Sequence, residues 1–347
     1  MDHIGIDVHK KDSQLCILTS GGEAIEVRVP TRLDRLAEVL AGRPRSRVLL
    51  EASTESEWVA RHVESLGHEV VVADPNYAPM YGMRTRRVKT DRRDARALAE
   101  ASRSGTYRVV HRRSDAQRAV NVRLTMRDAL VRTRTRYIAV IRSSLRAHGL
   151  RMPAGGDAES FAERLASMDL PTGVRDEVSV LAGLLEPINA QITACESVIK
   201  AMTKQDATVR RLQTAPGVGL IVATAFRAII DDPNRFRDAQ QVPAYLGLVP
   251  SEASSGEKPR KGRITKTGNG RMRWLLVQSA HGILRSRTPE SLRLREWAGR
   301  IQRKRGRKVA TVALARKLAG ILYAMMRDGT EFAAHQSCEG PSRQAAA

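Results

Sequence analysis

His3-Ile4-Gly5-Ile6-Asp7-Val8, written HIGIDV, is the stretch from which the fold of this chain is read. Ile4, Ile6 and Val8 recur at every second position, so they share one face of an extended segment and predict a β-strand. Asp7 then stands inside that strand between apolar neighbours. Such a place is costly for a carboxylate unless something positive meets it. The same six residues thus predict a strand and a candidate site.

Working outward, a second run at 14–19 follows Lys10-Lys11-Asp12 as a hairpin partner, and a third extended run at 24–29 follows the Gly21-Gly22 turn. A helical pattern at 33–40, a buried strand Val48-Leu49-Leu50-Glu51, a helix at 57–66 and a strand at 69–73 come next, the last stopped by Asp74-Pro75-Asn76. Strands first in a meander and then alternating with helices indicate an α/β sheet. The order βββαβαβα is that of the ribonuclease H architecture, assigned to residues 1–110.

From Ser114 to His148 there is neither proline nor glycine, and Leu124, Leu130, Val131, Ile138 and Ile141 recur near helical spacing. A second such region, 174–202, is broken only by Gly183 and Pro187. Residues 111–207 are therefore expected to form a helical hairpin or coiled coil that dimerises, with a simple bundle packed on the first domain as the alternative. Residues 208–328 are expected to be a mainly helical third domain. The small, polar stretch 329–347 is expected to be a disordered tail.

With 347 residues the chain is long enough for two or three domains at about 150 residues each. Lys and Arg number 59 against 37 Asp and Glu, a formal charge of +22 spread along the whole length, which favours a polyanionic partner, above all nucleic acid. No apolar run approaching the roughly 20 residues of a spanning helix is apparent, no signal-peptide pattern opens the chain, and no membrane partner is expected. Cys16, Cys195 and Cys338 lie far apart without CxxC spacing, which fits a reducing cytoplasm and suggests neither a disulfide framework nor a zinc site.

The candidate site grows from the acids. Glu51 closes its buried strand much as Asp7 sits in the first. Asp91 and Asp94, in Lys89–Ala99 (KTDRRDARALA), are three apart and share one face of a predicted helix. In a ribonuclease H-like sheet the first and fourth strands are neighbours and a later helix packs across them, so all four acids are expected to converge. Their repulsion calls for magnesium or manganese, and two metals about 4 Å apart clamp the attacking and leaving oxygens of a phosphodiester. Lys89, Arg92, Arg93 and Arg96 then form a phosphate-contacting rim. Alone, a DxxD on a basic helix is ordinary salt-bridged surface. Asp7 and Glu51 give it meaning.

GIDVHK with Asp7, LLEAS with Glu51, and KTDRRDARALA with Asp91 and Asp94 resemble the DEDD acids of the insertion sequence 110 family of transposases, whose first domain resembles the Holliday-junction resolvase RuvC. Where a glycine often follows the family's Glu-Ala-Thr, this chain has Ser53-Thr54.

In the third part, Pro216-Gly217-Val218-Gly219 enters the apolar run LIVATAFRAII and is similar to the turn of helix-hairpin-helix DNA binders. It is read either as a phosphate contact through Gly217 and Gly219 or as a plain interhelical turn. Farther on, Tyr245–Pro250 (YLGLVP), Ser254-Ser255-Gly256-Glu257-Lys258 and Ile264–Asn269 (ITKTGN) resemble the second conserved domain of the same family, where a serine attacks DNA. Ser255, directly before the glycine, is slightly favoured over Ser254 as that nucleophile. Lys258, Arg260, Lys261, Arg263, Lys266, Arg271 and Arg273 surround it. With no histidine at triad spacing, the serine would be activated by the metal-bound acids in a composite site. A further basic run with Arg303, Lys304 and Arg305 is read as a nucleic-acid contact, with a solvated helix face as the alternative. Aromatic residues make up only 4% of the chain, so phosphate and shape are expected to dominate recognition over base stacking.

The resemblance implies a bacterial, nucleoid-associated cytoplasmic transposase acting on donor and target DNA. It also implies a noncoding guide RNA that bridges the two DNAs, a transient phosphoserine link, and a homodimer or homotetramer. Two alternatives stand: a RuvC-like junction endonuclease without a covalent intermediate, and a noncatalytic nucleic-acid-binding protein.

Overall fold

The computed structural model describes residues 1–81, 90–253 and 260–333, and the chain divides into two compact units, Met1–Arg112 and Arg113–Ala347. In the first unit β1 (His3–Val8), β2 (Asp12–Leu18) and β3 (Ala24–Pro30) form the expected meander. Then α1 (Leu33–Leu40), β4 (Arg47–Glu51), α2 (Ser56–Ser65), β5 (Glu69–Ala73) and α3 (Asp91–Ser104) follow. The sheet order is β3-β2-β1-β4-β5, with β1 antiparallel to β2 and parallel to β4. It is the mixed sheet of the ribonuclease H architecture.

Strand alternation sorts the side chains onto two faces. Ile4, Ile6, Val48 and Leu50 join Leu15, Ile17, Leu36, Val59 and Val63 in a core under α1 and α2. Gly5, opposite Cys16 on β2 and Leu49 on β4, belongs to the other face, where α3 packs. A Cβ at position 5 would stand 2.0 Å from Ala95 O and 2.4 Å from Ala99 N. Only a hydrogen atom fits between β1 and the helix backbone. On either side of this contact Leu98 packs with Leu49, and Ala95 and Ala99 with Cys16 and Leu18.

The second unit contains α4 (Asp115–Ala147), α5 (Phe161–Ala166), α6 (Thr172–Ala182), α7 (Leu185–Thr203), α8 (Ala207–Leu212), α9 (Leu220–Ile230) and α10 (Gln241–Tyr245). A short antiparallel pair, β6 (Pro250–Ala253) and β7 (Arg260–Ile264), precedes α11 (Gly270–Arg285), α12 (Pro289–Arg305) and α13 (Arg307–Asp328). With 33 residues, α4 is about 50 Å long at 1.5 Å per residue. It spans two cores: Val120 and Leu124 pack with Phe226, Leu318 and Tyr323, whereas Ile138, Ile141 and Leu145 pack with Phe161, Val174 and Leu185.

The periodic region 174–202 is two helices, parted at Gly183-Leu184, with Pro187 in the first turn of α7 where its missing N–H costs nothing. The pair β6–β7 carries no period-two signal in the sequence. Its strands are short, one opens on proline, and Arg260-Lys261-Gly262-Arg263 carries no apolar alternation. Segments 172–203 and 307–328 do reach the length and mean hydropathy of a membrane-crossing helix, contrary to the reading of the sequence. In α13 that apolarity serves the core, where Leu314, Leu318, Leu322 and Tyr323 are fully buried.

Because the β1–α3 contact tolerates no side chain, Gly5→Ala is expected to lower the urea-unfolding free energy by about 3 kcal/mol, the upper range for overpacking. Gly42→Ala, where an added Cβ meets nothing within 4 Å, should stay within about 0.5 kcal/mol of wild type. Equal stability of the two variants would contradict the close approach.

Candidate active site

The register that buries Ile6 beside Leu50 leaves Asp7 and Glu51 as the next residues of two adjacent parallel strands, on the face that α3 covers. Thr90 caps α3, accepting a hydrogen bond from Arg93 N at 3.4 Å, and Asp91 and Asp94 occupy the first turn. Carboxylates there are favoured by the partial positive charge of the helix N-terminus. Asp7 is 7% exposed and Asp94 4%, whereas Asp91 opens to solvent.

A residue that sequence reasoning passed over joins them. His9 Nε2 lies 3.2 Å from Asp7 Oδ2 and 3.5 Å from Asp91 Oδ1. The ligand atoms of Asp7, His9 and Asp91 all fall within 4.8 Å of one another. The signal was available: His9 follows Asp7 by two residues, the spacing that returns an extended chain to the same face. Glu51 is half-buried and stands outside this trio.

Burial pushes the Asp7 carboxyl above its ordinary range; His9 opposes that, while Asp94 and Asp91 add to it. Its Oδ2 is buried with no aligned hydrogen-bond donor among the described residues, and His9 offers charge only when protonated. A buried carboxylate oxygen short of positive charge, among further acids and one imidazole, fits a divalent ion of the magnesium or manganese type. Asp7 and Asp91 would hold it together with His9, with Asp94 close enough to act on the charge of Asp7.

The turn after Glu51 is closed by serines. Ser53 Oγ accepts from Ser56 N at 3.2 Å and Glu55 N at 3.3 Å, and Ser56 Oγ donates to Ser53 O. An open cleft of about 370 Å³ adjoins the acids, lined by Gln14, Glu26, Arg28, Thr90, Asp91 and Arg92. Arg92, Arg93 and Arg96 are exposed, with Arg92 Nε donating to Glu26 Oε2 at 2.7 Å. Lys89 lies outside the described residues.

In the second unit, Ser254, Ser255 and Lys258 fall in the connection between β6 and β7, outside the described residues. The base of that pair is described. A Cβ on Gly247 would meet Thr267 O at 2.2 Å and one on Gly268 would meet Tyr245 O at 2.0 Å, so the two loops touch backbone to backbone. Arg273 Nη1 ties them by donating to Leu246 O and Thr267 O. Arg263 and Lys266 are exposed, as are Arg303, Lys304 and Arg305 on α12. Arg271 is turned inward against Asp128, and burial lowers its basicity.

Gly217 has φ +73°, and a Cβ there would stand 2.7 Å from Ser279 O of α11. Its first task is helix packing. Gly219 precedes α9 in open space, and the PGVG turn lines a cleft of about 470 Å³ together with Ser286, Thr288 and Glu290.

A family model of DEDD transposases of the IS110 type matches residues 4–149, and the model described as "Transposase IS116/IS110/IS902 family" matches residues 209–295. The transposase for insertion sequence element IS1111A of Coxiella burnetii is 30% identical over 329 residues, 93% of this chain and 89% of that protein. A probable family 20 transposase of Pseudomonas aeruginosa is 30% identical, over 94% of this chain and 97% of its own. The transposase for insertion sequence element IS1328 of Yersinia enterocolitica is 29% identical, over 95% and 98%. With the acids on β1, β4 and α3 in the order of the DEDD motif, the chain belongs to the IS110 family of insertion-sequence transposases.

Proposed function

We propose that the protein exchanges strands between donor and target DNA with two sets of residues, the metal-holding acids Asp7, Glu51, Asp91 and Asp94 and a serine nucleophile, Ser255 or Ser254. The observation that carries the reading is the buried Asp7 Oδ2, held close to Asp91 and His9 against the repulsion of Asp91 and Asp94, with no donor aligned on it among the described residues. A bound magnesium or manganese ion would supply Lewis-acid stabilisation of the phosphate oxygens. Exposed Arg92, Arg93 and Arg96 hold the phosphodiester backbone beside the acids.

The serine Oγ forms a bond to phosphorus as one P–O bond of the phosphodiester breaks, and the leaving strand departs as a free hydroxyl carrying the proton. A hydroxyl of the second strand then attacks the phosphoserine, restoring a phosphodiester and releasing the serine. Energy of the original bond is kept in the covalent link. A hydrolytic junction nuclease, by contrast, leaves free ends.

A noncoding RNA of the element that pairs with donor and target DNA supplies sequence choice in this reading. Its support is a charge of +22 with few aromatic residues, suited to phosphate and shape. Dimerisation, and pairing of dimers into a tetramer, through the helical region 111–207 is supported by Val122, Met126 and Val140 on α4 and Val198 and Met202 on α7, all apolar and exposed. The protein works on DNA in the bacterial cytoplasm, with the nucleoid.

Incubation of the protein with magnesium, the element's flanking RNA and a labelled junction DNA, followed by a denaturing gel, should give a protein-linked DNA band. The band should vanish in Asp91→Asn and in one of Ser255→Ala and Ser254→Ala. Cleavage without an adduct, unaffected by both serine changes, would favour the junction nuclease, and nucleic-acid binding without any reaction would favour the noncatalytic reading.

Asp7→Asn separates function from stability. In EDTA at neutral pH it removes an under-compensated buried charge, so its unfolding free energy should equal or exceed that of wild type by up to roughly 1 kcal/mol, with Tm unchanged or raised, while strand exchange is lost. A clear fall in Tm would show that the Asp7–His9 pair is a structural ion pair instead.

A further inference from the structure

Between α4 and α11 lies a groove of about 580 Å³, lined by Asp128, Val131, Arg132, Arg136, Arg271 and Trp274 among others. Its floor is an incompletely satisfied charge pair. Asp128 Oδ2 accepts from Arg132 Nη2 at 3.2 Å and lies 3.2 Å from Arg271 Nε. One carboxylate oxygen is thus shared by two guanidinium groups. The Arg271 side chain is only 12% exposed, and its Nε and Nη2 have no hydrogen-bond partner among the described residues. Buried guanidinium donors without an aligned acceptor favour an oxyanion that can take two N–H bonds from the planar fork of the guanidinium, and phosphate is one.

The walls add a second, independent feature. Trp274 sits on α11 between the buried Met272 and Leu275, yet it is itself 52% exposed. Its indole is a large apolar face turned away from the core, with Val131 and Ala139 of α4 lining the same groove. Arg136 is exposed and lies one helical turn from Arg132. An aromatic platform, an apolar wall, two solvent-facing arginines and a buried guanidinium form a set that matches a base joined to a phosphate. The volume is within the range of small-ligand sites.

We propose that this groove holds one unpaired nucleotide of a nucleic-acid strand, the base stacked on Trp274 and the phosphate taken by Arg271 and Arg136. The inference rests on the nucleic-acid reading above and adds a stacking site to a surface otherwise suited to phosphate. A duplex cannot offer a base face to the indole without extruding it, so the site selects unpaired segments.

The test is fluorescence anisotropy with labelled single strands of about 20 nucleotides, as DNA and as RNA of one sequence, and with the matching DNA duplex. The proteins are wild type, Trp274→Ala, Trp274→Phe and Arg136→Gln. Trp274→Ala should weaken single-strand binding about tenfold or more, as loss of one stacked base does, with an unchanged salt slope. Its duplex affinity should stay within about twofold, and Trp274→Phe should keep most of the single-strand affinity. Arg136→Gln should lower the salt slope by about one. The strand type that shows the Trp274→Ala loss identifies the source of the nucleotide.

Single-strand affinity equal in wild type and Trp274→Ala would overturn the proposal alone. A change of oligomeric state in Trp274→Ala by sedimentation, with single-strand affinity intact, would also overturn it and assign the groove to a second copy of the chain. Failure of wild type to bind any of the three probes would instead overturn the nucleic-acid reading on which the proposal stands.

Discussion

The backbone of α3 rests directly on Gly5 of β1, and the placement of the acids in the first unit follows from that contact. Ala95 O and Ala99 N occupy the space that any Cβ would need. With no side chain as a spacer, the first turn of the helix is carried down onto the end of the same strand, where Asp7 lies two residues beyond Gly5 on the same face. A bulkier residue would lift α3 and draw Asp91 and Asp94 away from Asp7. The closeness of these carboxylates is thus a packing result before it is an electrostatic one.

Once assembled, the acids are held against their own repulsion by local means. The N-terminus of α3 favours Asp91 and Asp94, and His9 stands between Asp7 and Asp91. These are partial remedies, since Asp7 remains buried with its carboxyl pushed above the ordinary range. The native state tolerates that cost because well-packed residues lie on both faces of the sheet. Sites that bind cations are often destabilised without them. In the second unit Arg271 presents the inverse case, a buried cation whose carboxylate partner Asp128 is shared with Arg132.

Much of the first unit was legible because its signals are local. Alternation in HIGIDV and the buried VLLE run gave β1 and β4, and the observed strands differ from the expected ones by a residue or so. The convergence of Asp7 with Asp91 was legible only through the sheet order, since these residues are far apart in sequence. Gly5 carried no local signal, because a glycine in a strand announces neither the helix above it nor its direction. His9 was readable by its spacing from Asp7, but a histidine beside lysines is ordinary surface until the acids are placed. In the second unit β6 and β7 escaped because charged, proline-started strands lack period-two apolarity. The inward turn of Arg271 escaped because its partner Asp128 lies on another helix, more than a hundred residues earlier.

The central claim is that the β1–α3 contact builds a divalent-cation site around Asp7. Isothermal titration of manganese into the metal-free full-length protein, wild type beside Asp7→Asn, tests it most directly. The account predicts saturable binding by wild type that is lost or strongly weakened in Asp7→Asn. Equal binding by the two proteins, or none by wild type, would contradict it.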